Sequence, residues 1–243
     1  MTKTMATTQE LLELERFMIR RGGWTYLRLI YLLDSLQQIP LPRNVLSYGC
    51  GMGFHEYYLA RAFPSVQIDA LDIDSRAIGY ACRHYHAPNL RFILGDYQQV
   101  RQAYDLVFSI EVLEHIPEPW PVLTAMCRHA NYLFLLVPQW HNTTPEQKEH
   151  LRRALGHQHV GFTRQEICKH LRANGFRMLK HSNCYWEDRG GLARRLLEKV
   201  GTPDTETTDI FRRLFRLDLR EGSIPSRDGR GLAQGLKVLA CKT

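Results

Sequence analysis

The chain has 243 residues, 44% of them hydrophobic, which is enough to bury one sizeable core and favours a single domain with insertions. Its six cysteines are scattered without a Cys-x-x-Cys pair, which argues against a disulfide framework or a zinc knuckle and predicts reduced, intracellular thiols. The net charge is +7, but most of the excess lies in residues 151–181, with seven basic residues and one acid. A solvated basic helix face explains this segment better than a surface for an acidic partner.

The hydrophobic pattern predicts an α/β protein. Two helices over residues 9–37, split by a pair of glycines, form a lead-in or lid. Short apolar strands then alternate with helices, which indicates a doubly wound, mostly parallel sheet. The predicted strands are 44–48, 67–73, 90–95, 104–110 and 131–137, and the helices between them are 54–63, 75–85 and 119–128.

The last third of the chain adds a helix, two strands and an insertion. Thr163 and Glu166 are spaced as a capping box, and Gly175 marks the end of the helix that they begin. Strands are predicted at 176–185 and 235–242. The stretch between them holds two predicted helices, and we expect it to cover the pocket at the strand termini together with the N-terminal helices.

Three glycines, Gly49, Gly51 and Gly53, follow the first predicted strand directly. Ligands of such sheets bind outside the carboxyl ends of the strands, and a glycine there lets the backbone approach a ligand that a Cβ would meet. The spacing G-x-G-x-G does not fit the dinucleotide fingerprint, and no G-K-S/T follows for a phosphate loop. The loop therefore predicts a ligand of another class.

This loop resembles the cofactor loop of class I S-adenosylmethionine-dependent methyltransferases, and other features of that family follow in order: an acid in "ALDID", then "GDY", then "YDLVFSIEVLEHI". The later "HVGFTRQEICKHLRANGF" is similar to quinone-biosynthesis-type O-methyltransferases. The resemblance implies S-adenosyl-L-methionine as cofactor and a Rossmann-like sheet of seven strands with the last strand antiparallel. The implied cofactor-binding residues are Ser47, Tyr48, Gly49, Cys50, Gly51, Gly53, Asp72, Ile73, Asp96, Tyr97, Ile110 and Glu111.

The implied organisation is one methyltransferase domain over residues 1–243. Residues 1–43 form its N-terminal helical lid, residues 44–185 and 232–243 form the Rossmann-like core, and residues 186–231 form the helical insertion.

Four residues of this set have specific roles in holding the cofactor. An ionised Asp72 offers two acceptor oxygens to the ribose hydroxyls. Asp96 accepts from the exocyclic amine of adenine, and Tyr97 lies against the ring. Glu111 offsets the positive charge of the cofactor's sulfonium or ammonium. A solvated turn acid is the alternative for both Asp72 and Glu111.

Ser47 departs from the family pattern, which has an acid two residues before the first glycine. Its hydroxyl can join a water-mediated contact but supplies no charge. We therefore expect cofactor binding to be weaker by about 1–2 kcal/mol. The departure also leaves open an inactive, cofactor-binding partner subunit.

Methyl transfer needs alignment and desolvation above all, and a base only where the acceptor is protonated. His115 and His159 are the catalytic candidates, because imidazole titrates near physiological pH; a structural or merely exposed histidine is the alternative. Glu111, Glu114, His115 and His159 also resemble the metal-binding set of small-RNA 2′-O-methyltransferases and some quinone O-methyltransferases. Such ligands suit Mn²⁺, Co²⁺ or a Mg²⁺-like ion, but "EVLEH" is common in methyltransferases without metal, so a metal is not favoured.

We expect a methyltransferase that acts on an oxygen of a quinone or phenol, a sugar or a lipid-linked compound. An RNA 2′-O-methyltransferase is the alternative, but the sequence lacks the basic stripe with interleaved aromatics of a strand-tracking groove, so nucleic acid is not the expected partner. The N-terminus carries acids where a signal peptide is apolar, and the longest strongly apolar run, "YLFLLV", is shorter than the ~18 residues of a membrane span. A cytoplasmic protein without integral membrane contact is expected, and a homodimer stays open.

Overall fold

The computed structural model describes residues 23–139, 149, 152, 156–159, 161–184 and 235–243. The predicted first helix and the predicted helices of the 186–231 insertion lie outside the described residues. Within the described ranges, no helix has both the length and the apolar character that crossing a membrane requires.

Seven strands form one sheet, in the order β3-β2-β1-β4-β5-β7-β6. All neighbouring strands pair in parallel except β7, which is antiparallel to both β5 and β6. This confirms the predicted doubly wound, Rossmann-like sheet with an antiparallel last strand. The strands are β1 Asn44–Tyr48, β2 Gln67–Asp72, β3 Leu90–Leu94, β4 Tyr104–Ile110, β5 Ala130–Pro138, β6 Phe176–Cys184 and β7 Gly235–Lys242.

Among the described residues, the sheet is accompanied by five α-helices and two short 3₁₀ turns with stated bounds. The helices are α1 Gly23–Leu36, α2 Phe54–Ala62, α3 Ser75–His84, α4 Pro119–His129 and α5 Arg164–Ala173, and the 3₁₀ turns are Tyr97–Gln99 and Leu113–His115. A side chain caps the start of α3, where Asp74 accepts from the backbone N–H of Arg76. The predicted capping box of α5 is confirmed, since Thr163 and Glu166 each accept from the other's backbone N–H.

Successive residues of a strand point to opposite faces of the sheet. Apolar side chains lie on both faces here, and helices cover each of them. Val45 joins one apolar cluster with residues of α1 and α2, and Leu46 joins another with residues of α4 and α5. Each fully buried aliphatic side chain of this kind contributes about 1.5–3 kcal/mol. The two clusters leave the carboxyl edge of the parallel strands as the place where loops and charged groups gather.

Helix α1 is part of the core, as well as a cover for one end of the sheet. Leu29 and Leu32 are at most 1% exposed. The carboxylate of Asp34 lies 2.6 Å from Nζ of the buried Lys237 in β7 and 3.5 Å from Nζ of Lys180 in β6. This ion cluster holds α1 across the antiparallel strands, on the side of the sheet away from β2 and β3.

Candidate active site

The glycine turn after β1 has the conformation that glycine favours. Gly49, Gly51 and Gly53 have φ values of 71°, 54° and 82°, which L side chains rarely adopt. A Cβ on Gly49 would lie 2.5 Å from a methyl carbon of Val112, whereas a Cβ on Gly51 would meet nothing within 4 Å. Gly49 is thus required by packing, and Gly51 leaves open space beside the backbone.

Asp72 closes this turn from the end of β2. Its Oδ2 accepts from the backbone N–H of Gly51 at 2.7 Å, and its Oδ1 accepts from the N–H of Asp74 at 2.8 Å. Each carboxylate oxygen can accept a second hydrogen bond. Asp72 therefore fixes the loop and keeps acceptor capacity at the carboxyl edge of the sheet.

An apolar surface lies next to Asp72. Ile73 is 75% exposed and Leu94, which is paired with Asp72 in register, is 54% exposed. Beyond them, the exposed Asp96 caps the 3₁₀ turn by accepting from the N–H of Gln98 at 2.9 Å, and Tyr97 is half-buried. Two apolar side chains beside a carboxylate are suited to a flat heterocycle with an amino group.

The turn also has a buried carboxylate that sequence reasoning missed. Ser47 Oγ donates to Oε1 of Glu56, in the first turn of α2, at 2.6 Å, and both residues are 1% exposed. Burial raises the pKa of Glu56 to about 7, against the hydrogen bond from Ser47. The Ser47 position thus does have a neighbouring acid, contributed by the helix instead of the strand. In sequence, a glutamate in a first helical turn indicates only a favourable helix dipole contact.

Glu111 follows β4 in a strained conformation. Its φ of 55° is the only positive value at a non-glycine residue among those described, and a strain of about 1–3 kcal/mol of this kind concentrates at functional sites. Arg28 of α1, also missed from sequence, donates from Nη2 to Oε2 of Glu111 at 2.9 Å. Burial raises the pKa of Glu111 to about 7, while the guanidinium of Arg28 opposes the shift.

Glu114, His115 and His157 form a cluster next to this ion pair. One ligand atom from each lies within 4.8 Å of the others, and the rings of His115 and His157 have centroids 4.9 Å apart. The backbone carbonyl of Glu114 accepts from the N–H groups of Gln158 and His159 at 2.7 and 3.0 Å. These bonds hold the 156–159 segment against the turn that carries Glu114 and His115.

The cluster contains buried polar atoms without hydrogen-bond partners among the described residues. They are Oε1 and Oε2 of Glu114 and Nδ1 of His157. Burial first, and then the charge of Glu111, raises the pKa of Glu114. Burial, with His115 and Arg28 nearby, lowers the pKa of His157 to about 4, so this imidazole is neutral near pH 7.

His159, a catalytic and metal candidate from the sequence, is not a member of the cluster of Glu114, His115 and His157. Its Nε2 donates to the backbone carbonyl of Pro117 at 2.9 Å. The structure groups His157, two residues earlier, with Glu114 and His115. The "GHQHV" segment offers both histidines, and the family spacing favoured the second, so only the tertiary fold distinguishes them.

Comparison with known proteins finds a family match over the middle of the chain. Residues 45–131 match the methyltransferase domain family. A ubiquinone biosynthesis O-methyltransferase of Sodalis glossinidius is 31% identical over 110 residues, which are 42% of this chain and 42% of that protein. A malonyl-[acyl-carrier protein] O-methyltransferase of Halalkalibacterium halodurans is 29% identical over 101 residues, 38% of this chain and 37% of that protein. The matches thus span about two fifths of these relatives' lengths.

Solved structures with the same fold align over nearly the whole chain. The plantazolicin methyltransferase BpumL, in complex with a triazolic desmethylPZN analog and SAH, has a TM-score of 0.62 at 14% identity, over 97% of this chain and 92% of that chain. Phosphoethanolamine N-methyltransferase 2 of Haemonchus contortus, in complex with S-adenosyl-L-methionine, has a TM-score of 0.68 at 15% identity, over 99% and 58%. Identities this low show the fold alone. The domain matched over residues 45–131 and the seven-stranded sheet support a class I S-adenosylmethionine-dependent methyltransferase.

Proposed function

We propose that this protein transfers a methyl group from S-adenosylmethionine to an oxygen atom of a small-molecule acceptor, such as a quinone-like or phenolic compound, a sugar or a lipid-linked compound. The observation that carries the proposal is the glycine turn that Asp72 closes at the carboxyl edge of the sheet. The printed names of the relatives, which include O-methyltransferases, support oxygen as the acceptor atom.

The turns after β1, β2 and β3 fit the cofactor. Asp72 keeps lone pairs for the ribose hydroxyls, and Gly51 leaves room beside the backbone. In this proposal, the exposed side chains of Ile73 and Leu94 contact the adenine, and Asp96 accepts from its amino group. When bound, S-adenosylmethionine supplies an electrophilic methyl group on a sulfonium, which leaves as a neutral thioether.

The groups after β4 serve the acceptor. His115 is the exposed member of the cluster, and its Nε2 lies 3.7 Å from Oε1 of Glu114. We assign His115 as the base that takes the proton of the acceptor hydroxyl, with the buried carboxyl group of Glu114 beside its ring. The Arg28 side chain brings α1 to the same edge, where the helix limits the access of water.

The same cluster fits a divalent cation as a second candidate feature. Two carboxylate oxygens of Glu114 and Nδ1 of His157 are buried without partners among the described residues, and His115 lies beside them. Glu111 is paired with Arg28, so Glu114, His115 and His157 are the donors that would hold an ion. An ion there would orient the acceptor and lower the pKa of its hydroxyl.

The test is transfer of a labelled methyl group from S-adenosylmethionine to small-molecule extracts and, separately, to total RNA. We expect label in the small-molecule fraction, lost in His115→Ala and retained in His159→Ala. Label only in RNA, or tight binding of S-adenosylhomocysteine without any transfer, would contradict the proposal. Turnover that is unchanged in EDTA, with no bound metal by elemental analysis, would remove the cation while leaving the transfer reaction in place.

A further inference from the structure

The Ser47–Glu56 pair has a property that packing alone does not explain. Glu56 is 1% exposed, and Ser47 satisfies only its Oε1. Oε2 of Glu56 is buried and has no hydrogen-bond partner among the described residues. A buried carboxylate with an unpaired oxygen is costly, and a pair of apolar residues in the same place would cost nothing of the kind. The arrangement therefore points to a ligand.

The position of Glu56 limits the kind of ligand. The residue lies three positions after Gly53, in the first turn of the helix that the glycine turn begins. Burial first, and then the charges of Glu56 and Asp72, raise the pKa of Cys50 within the turn, and the bond from Ser47 holds Glu56 beside the end of β1. A group that meets Oε2 must therefore be a hydrogen-bond donor, and preferably a cation, that enters beside the glycine turn.

We propose that Glu56, held in place by Ser47, receives the α-ammonium group of S-adenosylmethionine. This inference rests on the proposed function, because it takes that cofactor as the occupant of the turn. The ammonium donates to Oε2 of Glu56, while the hydroxyl of Ser47 keeps Oε1. Helix α2 thus supplies the charge that β1 lacks at Ser47, and the weaker cofactor binding expected from the sequence is not required.

The experiment compares two probes by calorimetry: S-adenosylhomocysteine and its deaminated analogue, which lacks the α-ammonium. Wild-type protein should prefer the amine by about 10- to 100-fold, on the scale of a charge-assisted hydrogen bond. Glu56→Gln should bind S-adenosylhomocysteine that much more weakly and lose the preference. Glu118→Gln, which changes an exposed glutamate at the start of α4, is the matched control and should keep it.

Two further measurements separate a binding role from a structural one. Thermal unfolding of the free protein at pH 8 should show Glu56→Gln to be at least as stable as wild type, because the variant removes a buried charge. The double variant Ser47→Asp/Glu56→Gln returns the carboxylate to the strand and should recover the preference for the amine.

The outcomes distinguish this inference from the proposed function. Wild-type protein that binds neither probe contradicts the proposed function itself. Binding by wild type with the same preference in folded Glu56→Gln overturns the role of Glu56 and leaves the function standing. A folded double variant without recovery also contradicts the assignment of this place to the ammonium.

Discussion

The two halves of the sheet's carboxyl edge are built in different ways. In the cofactor half, the turns after β1, β2 and β3, carboxylates accept from backbone N–H groups nearby in sequence, as Asp72 does from Asp74 and Asp96 from Gln98. In the acceptor half, the turn after β4 with α1 and residues 156–159, the contacts are distant. Arg28 reaches Glu111 across 83 residues. The bond from Gly51 to Asp72 in the cofactor half spans 21 residues, so the contacts of that half are shorter in sequence than those of the acceptor half.

The halves also differ in how their charges are satisfied. The Asp72 carboxylate has backbone donors on both oxygens, whereas both carboxylate oxygens of Glu114 are buried without partners among the described residues. Buried polar atoms in this state cost about 1–3 kcal/mol each. The acceptor half carries this cost at two oxygens of one carboxylate, and the cofactor half carries it at Oε2 of Glu56, so the surrounding core must offset it in both halves.

The largest effect is expected for Asp34→Ala, which tests this cost. The variant leaves Lys237, only 6% exposed, without its carboxylate partner. Breaking a buried ion pair in this way costs about 3–5 kcal/mol, and α1 should loosen with the loss. Urea unfolding measures the change.

Lys180→Ala is the matched control for Asp34→Ala, because Lys180 meets the same carboxylate from a side chain that is 43% exposed. A loss of about 1 kcal/mol or less is expected there. Equal losses in the two variants would show that burial does not set the strength of this cluster.

The second prediction concerns the cofactor half. Asp72→Ala removes an acceptor from the N–H of Gly51 and the proposed acceptor of the ribose hydroxyls. We expect S-adenosylhomocysteine to bind about 100-fold more weakly, measured by calorimetry. Asp74→Ala is the control: it removes the cap of α3 but keeps the backbone N–H that Asp72 uses. Similar losses of affinity in both would indicate a folding defect and contradict a binding role for Asp72.

The contrast between the halves explains what the sequence could predict. Strands β1 and β4 have the predicted limits, Asn44–Tyr48 and Tyr104–Ile110, because apolar runs and turn residues are local signals. The predicted helix after Ser75 ends one residue earlier, since Tyr85 has extended backbone. The glycine turn and Asp72 were likewise visible, because their spacing along the chain fixes their geometry.

The acceptor half could not be predicted to the same depth. Arg28 lies on a helix with no motif of its own, and its partner was identifiable only from the fold. His157 and His159 lie in one short segment, and the fold distinguishes them. The backbone N–H and the Nε2 of His159 donate to the carbonyl groups of Glu114 and Pro117, whereas His157 is grouped with Glu114 and His115. Glu56 was missed for the same reason, although it lies near the glycines, since its partner Ser47 is on the other side of a turn.

The third prediction concerns the pH dependence of stability that the buried carboxyl group of Glu56 causes. Its pKa is raised from an ordinary 4.5 to about 7 in the folded protein, so the folded state binds more protons than the unfolded state between these values. The free energy of unfolding therefore falls by up to about 3 kcal/mol as the pH rises through this window. Above the window it no longer changes through this group.

Other buried carboxylates, such as Glu111, have raised pKa values and add to the same slope. The difference between the wild-type and Glu56→Gln profiles, measured by urea unfolding from pH 5 to 8, isolates Glu56. Parallel profiles would show that this carboxyl group is solvated in the folded state, in conflict with its burial.

The smallest effect is expected for Thr163→Ala, which removes a local cap just after the 156–159 segment of the acceptor half. Thr163 accepts from the N–H of Glu166 at 3.1 Å at the exposed start of α5, and the loss of such a cap costs about 1 kcal/mol. If local and distant contacts are separable, urea unfolding should show this loss while methyl transfer per folded molecule stays unchanged. A fall in transfer beyond the fraction unfolded would mean that the cap also positions His157, six residues earlier, and that the acceptor half is a single cooperative unit.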